Sequence, residues 1–292
     1  MKRREFISRS GTAGLGLWAS AALEGAEKRA RMCVSSWSLR TLFTATRDQK
    51  SPPLAGKALD ALDLPEIIAD HYQVHSLEIV SPHFASSEAG YCREFQKRLK
   101  KARSRLVNVP IDYDELWDQA ALSSPDPKER EHAISLYRKW IDNAHALGAQ
   151  TVRCDPGKVN VADLSPTIGS YKTLVAYAKS RGLRVIVENH GGSVSGRPEE
   201  LVKILKASGA GALPDIGNFP DQETRERGLR LLFPLAVSVC HVKLNPGRFD
   251  LARCVEISKE AGYKGLYSIE AGGRGDPYEG VQQVLDKLDQ CL

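Results

Sequence analysis

The six cysteines of this chain form no CxxC pair and no zinc-type Cys/His spacing, which excludes a zinc ribbon or a thioredoxin-like redox motif. Cys33, Cys154 and Cys240 fall inside apolar runs, where a free thiol behaves as a small buried hydrophobe; disulfide pairing is left open. No apolar run approaches the ~20 residues that span a bilayer, so a stable membrane span is not expected. Basic blocks are also scarce. Only Lys97–Arg105 (KRLKKARSR) is dense in Lys and Arg, and it reads as the solvated face of a helix. The formal charge of +5 falls to about +2 without residues 1–21, because Lys2, Arg3, Arg4 and Arg9 outnumber Glu5 there by three. With so little net charge, nucleic acid is not the expected partner.

What the first residues do contain is a paired Arg3 and Arg4, then a weakly apolar Gly11–Leu23 stretch with small residues at Ala19, Ser20 and Ala21. That layout predicts a twin-arginine export signal over residues 1–25 and a periplasmic or exported mature protein. Residues 30–292 then make one domain, since a single α/β barrel typically takes about 250 residues.

Within that domain, short apolar or β-branched runs alternate with longer amphipathic stretches, the pattern of repeated βα units around a parallel sheet. Strands are predicted near Met32–Trp37, Ser76–Val80, Leu106–Ile111, Thr151–Cys154, Arg184–Glu188, Ala212–Ile216, Ala236–Lys243 and Leu266–Glu270. Eight strands close a barrel, so the fold class is α/β, a (β/α)8 TIM barrel. Helices are predicted over Leu64–Tyr72, Tyr91–Ala102, Pro127–Leu147, Tyr171–Ser180, Pro198–Ala207, Gln222–Phe233, Leu251–Ala261 and Pro277–Leu288. Gly148, Gly182, Gly209 and Gly262 are placed to end four of them in the left-handed conformation. Phe43–Lys57 reads as a long loop.

Four ionisable residues stand at the tails of four consecutive predicted strands: Glu188 in RVIVENHGG, Asp215 in GALPDIGN, His241 in VSVCHVKL and Glu270 in GLYSIEAGG. Barrel enzymes keep their chemistry at that end. Side-chain alternation turns Ile186, Glu188 and His190 to the barrel side, and likewise His241 with Lys243, Ser268 with Glu270, and Glu78. Buried charges need partners or a metal. Three carboxylates and one imidazole make an oxygen-rich set suited to Mn2+, Mg2+ or Co2+, with Zn2+ also compatible.

With these strands in place, the chain resembles the xylose isomerase-like barrel superfamily of sugar isomerases and epimerases, which also includes endonuclease IV-type repair enzymes. The resemblance rests on VENHGG at Val187–Gly192, PDIGN at Pro214–Asn218, HVK at His241–Lys243 and SIE at Ser268–Glu270, with SLE at Ser76–Glu78 a weaker match. It implies that Glu188, Asp215, His241 and Glu270 hold the metal and that Glu188 and Glu270 form the acid/base pair. Lys243, His190, Asn218, Glu78 and Arg248 are the candidates for binding substrate. Two positions depart from the ketose epimerases: Asn218 stands where they carry a histidine, and Gly192–Val194 lacks their further glutamate.

The expected reaction is sugar isomerisation or epimerisation, in which a proton is removed next to a carbonyl and a cation offsets the charge of the resulting enediolate. The alternative is a lyase or dehydratase acting on an oxidised sugar, glycoside or inositol derivative, which shares the first step. Two other readings are an endonuclease IV-like enzyme, for which extra histidines are missing, and a non-catalytic carbohydrate-binding barrel. The expected partner is a small carbohydrate, and a homo-oligomer is compatible with the sequence.

Overall fold

The computed structural model describes residues 25–292 apart from Pro52, Ala55, Trp117 and Arg274. The arginine pair and apolar stretch of the expected leader lie outside the described residues. Eight parallel strands form one sheet: β1 (Met32–Ser35), β2 (Ser76–Glu78), β3 (Arg105–Ile111), β4 (Thr151–Cys154), β5 (Arg184–Glu188), β6 (Gly211–Leu213), β7 (Val239–Val242) and β8 (Leu266–Ile269). A helix follows each strand: α1 (Leu64–Tyr72), α2 (Ala89–Lys101), α3 (Pro127–Leu147), α4 (Ser165–Ser180), α5 (Pro198–Ser208), α6 (Gln222–Leu232), α7 (Leu251–Glu260) and α8 (Pro277–Cys291). Among the described residues no helix is long and apolar enough to cross a membrane.

The strand order β6-β5-β4-β3-β2-β1-β8-β7 curls into a nearly closed TIM barrel. At the seam between β6 and β7 only two isolated bridges join the edges, Ala212 to Ala236 and Asp215 to His241. The second is made by the His241 N–H donating to the Pro214 carbonyl at 2.9 Å and the Ile216 N–H donating to the His241 carbonyl at 3.3 Å. Pro214 has no N–H to give the ladder, so it contributes its carbonyl instead. The seam therefore closes at the level where two predicted ligands sit.

Alternation sorts the side chains as expected. Cys33, Val107, Ile186, Leu213, Val239 and Leu266 pack together inside the barrel. Val185, Val187, Cys240 and Val242 face outward into the larger core formed with helix residues such as Leu174, Leu201 and Leu285. Each such aliphatic side chain, fully buried, contributes about 1.5–3 kcal/mol. All six cysteines are unpaired.

Several boundaries shift for local reasons. β1 stops at Ser35, whose hydroxyl accepts from the Trp37 N–H at 3.4 Å and starts a 3-10 turn over Ser36–Leu42. Trp37, expected in the strand, is exposed instead. Helix α4 begins six residues before the predicted Tyr171, because the Asp163 carboxylate accepts from the Ser165 N–H at 3.0 Å and Pro166 suits the first turn. Gly148 and Gly209 cap α3 and α5 with φ of 80° and 81°, whereas Gly182 and Gly262 come one residue after the cap. The loop after β1 is tied down at its start: the Phe43 ring stacks on His83 at 3.7 Å, and the two His83 ring nitrogens lie 2.8 Å from the Ser36 and Thr46 hydroxyls.

Candidate metal centre

The four strand-end residues meet. His241 Nδ1 lies 3.3 Å from Glu188 Oε1, 3.4 Å from Glu270 Oε1 and 3.6 Å from Asp215 Oδ2. One pleat above the apolar floor of the barrel, β5, β6, β7 and β8 thus bring three carboxylates to one nitrogen. Glu188, Asp215 and His241 are buried, and Glu270 is 13% exposed.

Neighbouring groups hold each of the three carboxylates. Asn189 holds Asp215 by two reciprocal bonds: its amide donates to the Asp215 carbonyl at 3.0 Å, and its carbonyl accepts from the Asp215 N–H at 2.7 Å. The Gly217 N–H donates to Asp215 Oδ1 at 2.6 Å. A side chain at Gly217 would come within 2.7 Å of the Lys243 stem, so the close approach there requires glycine. Asn218 donates to Glu188 Oε1 at 3.0 Å. Lys243 Nζ bridges Asp215 Oδ2 at 2.6 Å and Glu270 Oε2 at 2.9 Å.

The electrostatics follow from crowding of charge in a dry place. Burial alone raises the pKa of Glu188, but the charges of His241 and His190 outweigh it and hold the carboxyl well below its usual range. Burial disfavours charge on His241, yet the surrounding Glu270, Glu78 and Glu188 keep its pKa well above normal. Burial pushes Glu270 upward, and His241 and Lys243 only partly offset that. Burial likewise opposes charge on Lys243, and Asp215 and Glu270 overcome it to keep the ammonium protonated. The pair of glutamates is therefore unequal, Glu188 shifted down and Glu270 up.

The donor set fits a divalent cation. Two groups of potential ligands, Glu188 with Asp215 and His241, and Glu78 with His241 and Glu270, each present atoms within 4.8 Å of one another. The cluster already draws Lys243 in as a cation between two of its carboxylates, as expected of an excess of buried negative charge.

The candidate substrate residues separate. His190 Nδ1 is 2.9 Å from Asp155 Oδ2, a bond that with Glu188 lifts its pKa to about 9, and it lines a cavity of about 430 Å³ with Asp112, Tyr113, Tyr137, Asp155 and Lys158. Lys243 and Asn218 touch the ligands directly, as described above. Glu78 does not face that cavity: it is 0% exposed, lies beneath His241 with Nε2 2.9 Å away, and cannot be a substrate contact. Arg248 is exposed and donates to the Phe219 carbonyl at 3.1 Å rather than to the ligand cluster.

Sequence reasoning missed Arg153. It projects inward from β4, 3.3 Å from Glu188 Oε2, 3.0 Å from Asp112 Oδ1 and 3.8 Å from Asp155 Oδ2. These ion pairs close the cluster from the side, and two of their carboxylates, Asp112 and Asp155, also line the cavity beside His190. Alternation along TVRC, applied from Thr151, would have aimed Arg153 inward. A second cavity of about 610 Å³ lies between the loops after β1 and β8, lined by Ser38, Arg40, Ala271 and Gly272 among others.

A parallel barrel with a carboxylate–imidazole cluster at its C-terminal mouth defines a class, and the comparisons agree with it. The chain belongs to the xylose isomerase-like TIM barrel family, whose model matches residues 69–291. No curated protein matches the chain. Among solved structures it is similar to D-allulose 3-epimerase from Methylomonas sp., with 14% identity, TM-score 0.68 and coverage of 90% of this chain and 98% of that one. It is also similar to 3-keto-D-glucoside 4-epimerase from E. coli, with 12% identity, TM-score 0.65 and coverage of 90% and 100%. A xylose isomerase-like TIM barrel protein from Mycobacterium smegmatis, solved in complex with magnesium, matches with 14% identity, TM-score 0.62 and coverage of 90% and 97%.

Proposed function

We propose that the protein is a divalent-metal-dependent sugar isomerase or epimerase. The observation that carries this reading is the meeting of Glu188, Asp215 and Glu270 within 3.6 Å of His241 Nδ1 at the barrel mouth. Glu188, Asp215, His241 and Glu270 would hold the cation, which when bound offsets negative charge developing on substrate oxygens. Glu188, kept ionised, takes the proton from the carbon beside the carbonyl. Glu270 delivers a proton to the enediolate, and the two glutamates approach from β5 and β8. Lys243 bridges Asp215 and Glu270 and has N–H groups to offer a substrate oxygen. His190 and Asp155 present a polar edge to a sugar in the adjoining cavity, whose volume suits a small ligand.

The sugar-acting neighbours support a carbohydrate substrate, and the magnesium complex supports a hard cation. The test is turnover of a panel of ketoses and 3-keto-glucosides in deuterated buffer with Mn2+ or Mg2+. Deuterium at the carbon next to the carbonyl, with product mass otherwise conserved, is the expected result. Loss of water or of an aglycone would assign the protein to lyases, and no exchange with any ketose would refute the proposal. Export by the twin-arginine route belongs to the same reading, and a cleaved N-terminus on protein recovered outside the cytoplasm is its test.

A further inference from the structure

Glu78 is a fully buried carboxylate that the proposed reaction does not use. Oε1 accepts from His241 Nε2 at 2.9 Å and from the Ser268 hydroxyl at 3.2 Å, while Oε2 accepts from the Asn108 amide at 2.8 Å. Asn108 is itself fixed, since its carbonyl accepts from the Thr151 hydroxyl at 2.9 Å. An ionised carboxylate can only accept, so Nε2, which faces Glu78, carries a hydrogen. The opposite nitrogen, Nδ1, is the one that meets Glu188, Asp215 and Glu270.

The backbone is shaped for this arrangement. Leu77 pairs with Leu106, but the next residue, Glu78, pairs with Asn108, so the register skips Val107. Such a bulge re-aims a side chain. Here it sets Glu78 and Asn108 side by side and delivers an amide to Oε2. Without the skip, Glu78 would lie opposite Val107, an apolar residue of the barrel floor.

We infer that Glu78 is a positioning residue: by accepting the His241 Nε2–H from below, it fixes the ring so that Nδ1 is the atom offered to the cation. Glu78 is thereby separated from the ligands, although it lies close enough to Glu270 and His241 to be mistaken for one. The inference rests on the metal-dependent reading above. Partners of this kind typically change metal affinity by about 10- to 100-fold when removed.

The experiment uses zinc as a diamagnetic probe on the full chain labelled with 15N at histidine. In the zinc-loaded wild type, long-range proton–nitrogen correlations should show His241 protonated at Nε2 and metal-bound at Nδ1. Zinc titration should show Glu78→Ala weakened by about 10- to 100-fold, with part of the loss restored in Glu78→Gln. A ring protonated at Nδ1 and bound through Nε2 overturns the inference, and so does a folded Glu78→Ala that holds zinc as the wild type does. If Glu78→Ala does not fold, the wild-type spectrum still decides. Failure of the wild type to bind zinc at all removes the metal reading and the inference together, whereas zinc bound through Nε2 removes the inference alone.

Discussion

The floor and the mouth of this barrel are one pleat apart on the same strands and obey opposite rules. Ile186, Leu213 and Val239 fill the floor, and two residues further along each strand stand Glu188, Asp215 and His241. Both layers are buried. The floor is stable because apolar groups leave water, with no partner required. The mouth holds charges that burial disfavours, so it persists only as a mutually compensating set: Lys243 against Asp215 and Glu270, Arg153 against Glu188, and His241 against four carboxylates. One layer is arranged for stability and the other for chemistry.

That contrast can be broken by exchanging the effects of substitution. Glu188→Gln and Glu270→Gln should each lower turnover at least ~10²-fold while leaving the fold intact, as measured by steady-state kinetics beside circular dichroism. Ile186→Ala, one pleat below, should do the reverse: a loss of about 2–5 kcal/mol in denaturant unfolding, with metal binding preserved. If the floor variant lost metal as readily as the glutamate variants lost turnover, the two layers would not be separable. Asp215→Ala should weaken metal retention about 10- to 100-fold or more in a metal titration, since it removes a ligand and leaves Lys243 with one carboxylate.

The smallest effect belongs to the rim. Burial drives the His83 pKa down to about 3, so the folded protein keeps this imidazole neutral where the unfolded chain, with a pKa near 6.5, binds a proton. Between those two values the unfolded state holds more protons, so stability falls as the pH drops below about 6.5, by roughly 2 kcal/mol at pH 5. Thermal unfolding of His83→Gln should show a flatter profile over this window. An unchanged profile would mean that another group sets the acid limb.

The meeting of the four strand-end residues is legible in the sequence because each follows an apolar run of its own strand, and strand order alone carries them to one end. The boundaries of β1 and α4 are less legible, since they depend on Ser35 and Asp163 side chains capping turns that hydrophobic periodicity does not register. Arg153 is obscured because a lone charged residue in a four-residue strand resembles a solvated position, until the neighbouring strand supplies Glu188. The place of Glu78 cannot be read from alternation, which turns it inward but says nothing of depth. A register skip against β3 places it under His241 and not beside the cavity lined by His190. Arg248 is hard to place for the opposite reason: it lies in a loop, where no period constrains direction, and here it donates to the Phe219 carbonyl.

Calorimetric titration of the full chain with Mn2+, run in parallel on wild type, Asp215→Ala and a mild floor variant, Ile186→Val, bears most directly on whether these side chains serve a single cation. One equivalent bound by wild type and Ile186→Val, with a clear loss of affinity in Asp215→Ala, is the predicted result. No binding by the wild type, or equal binding by all three, would contradict it.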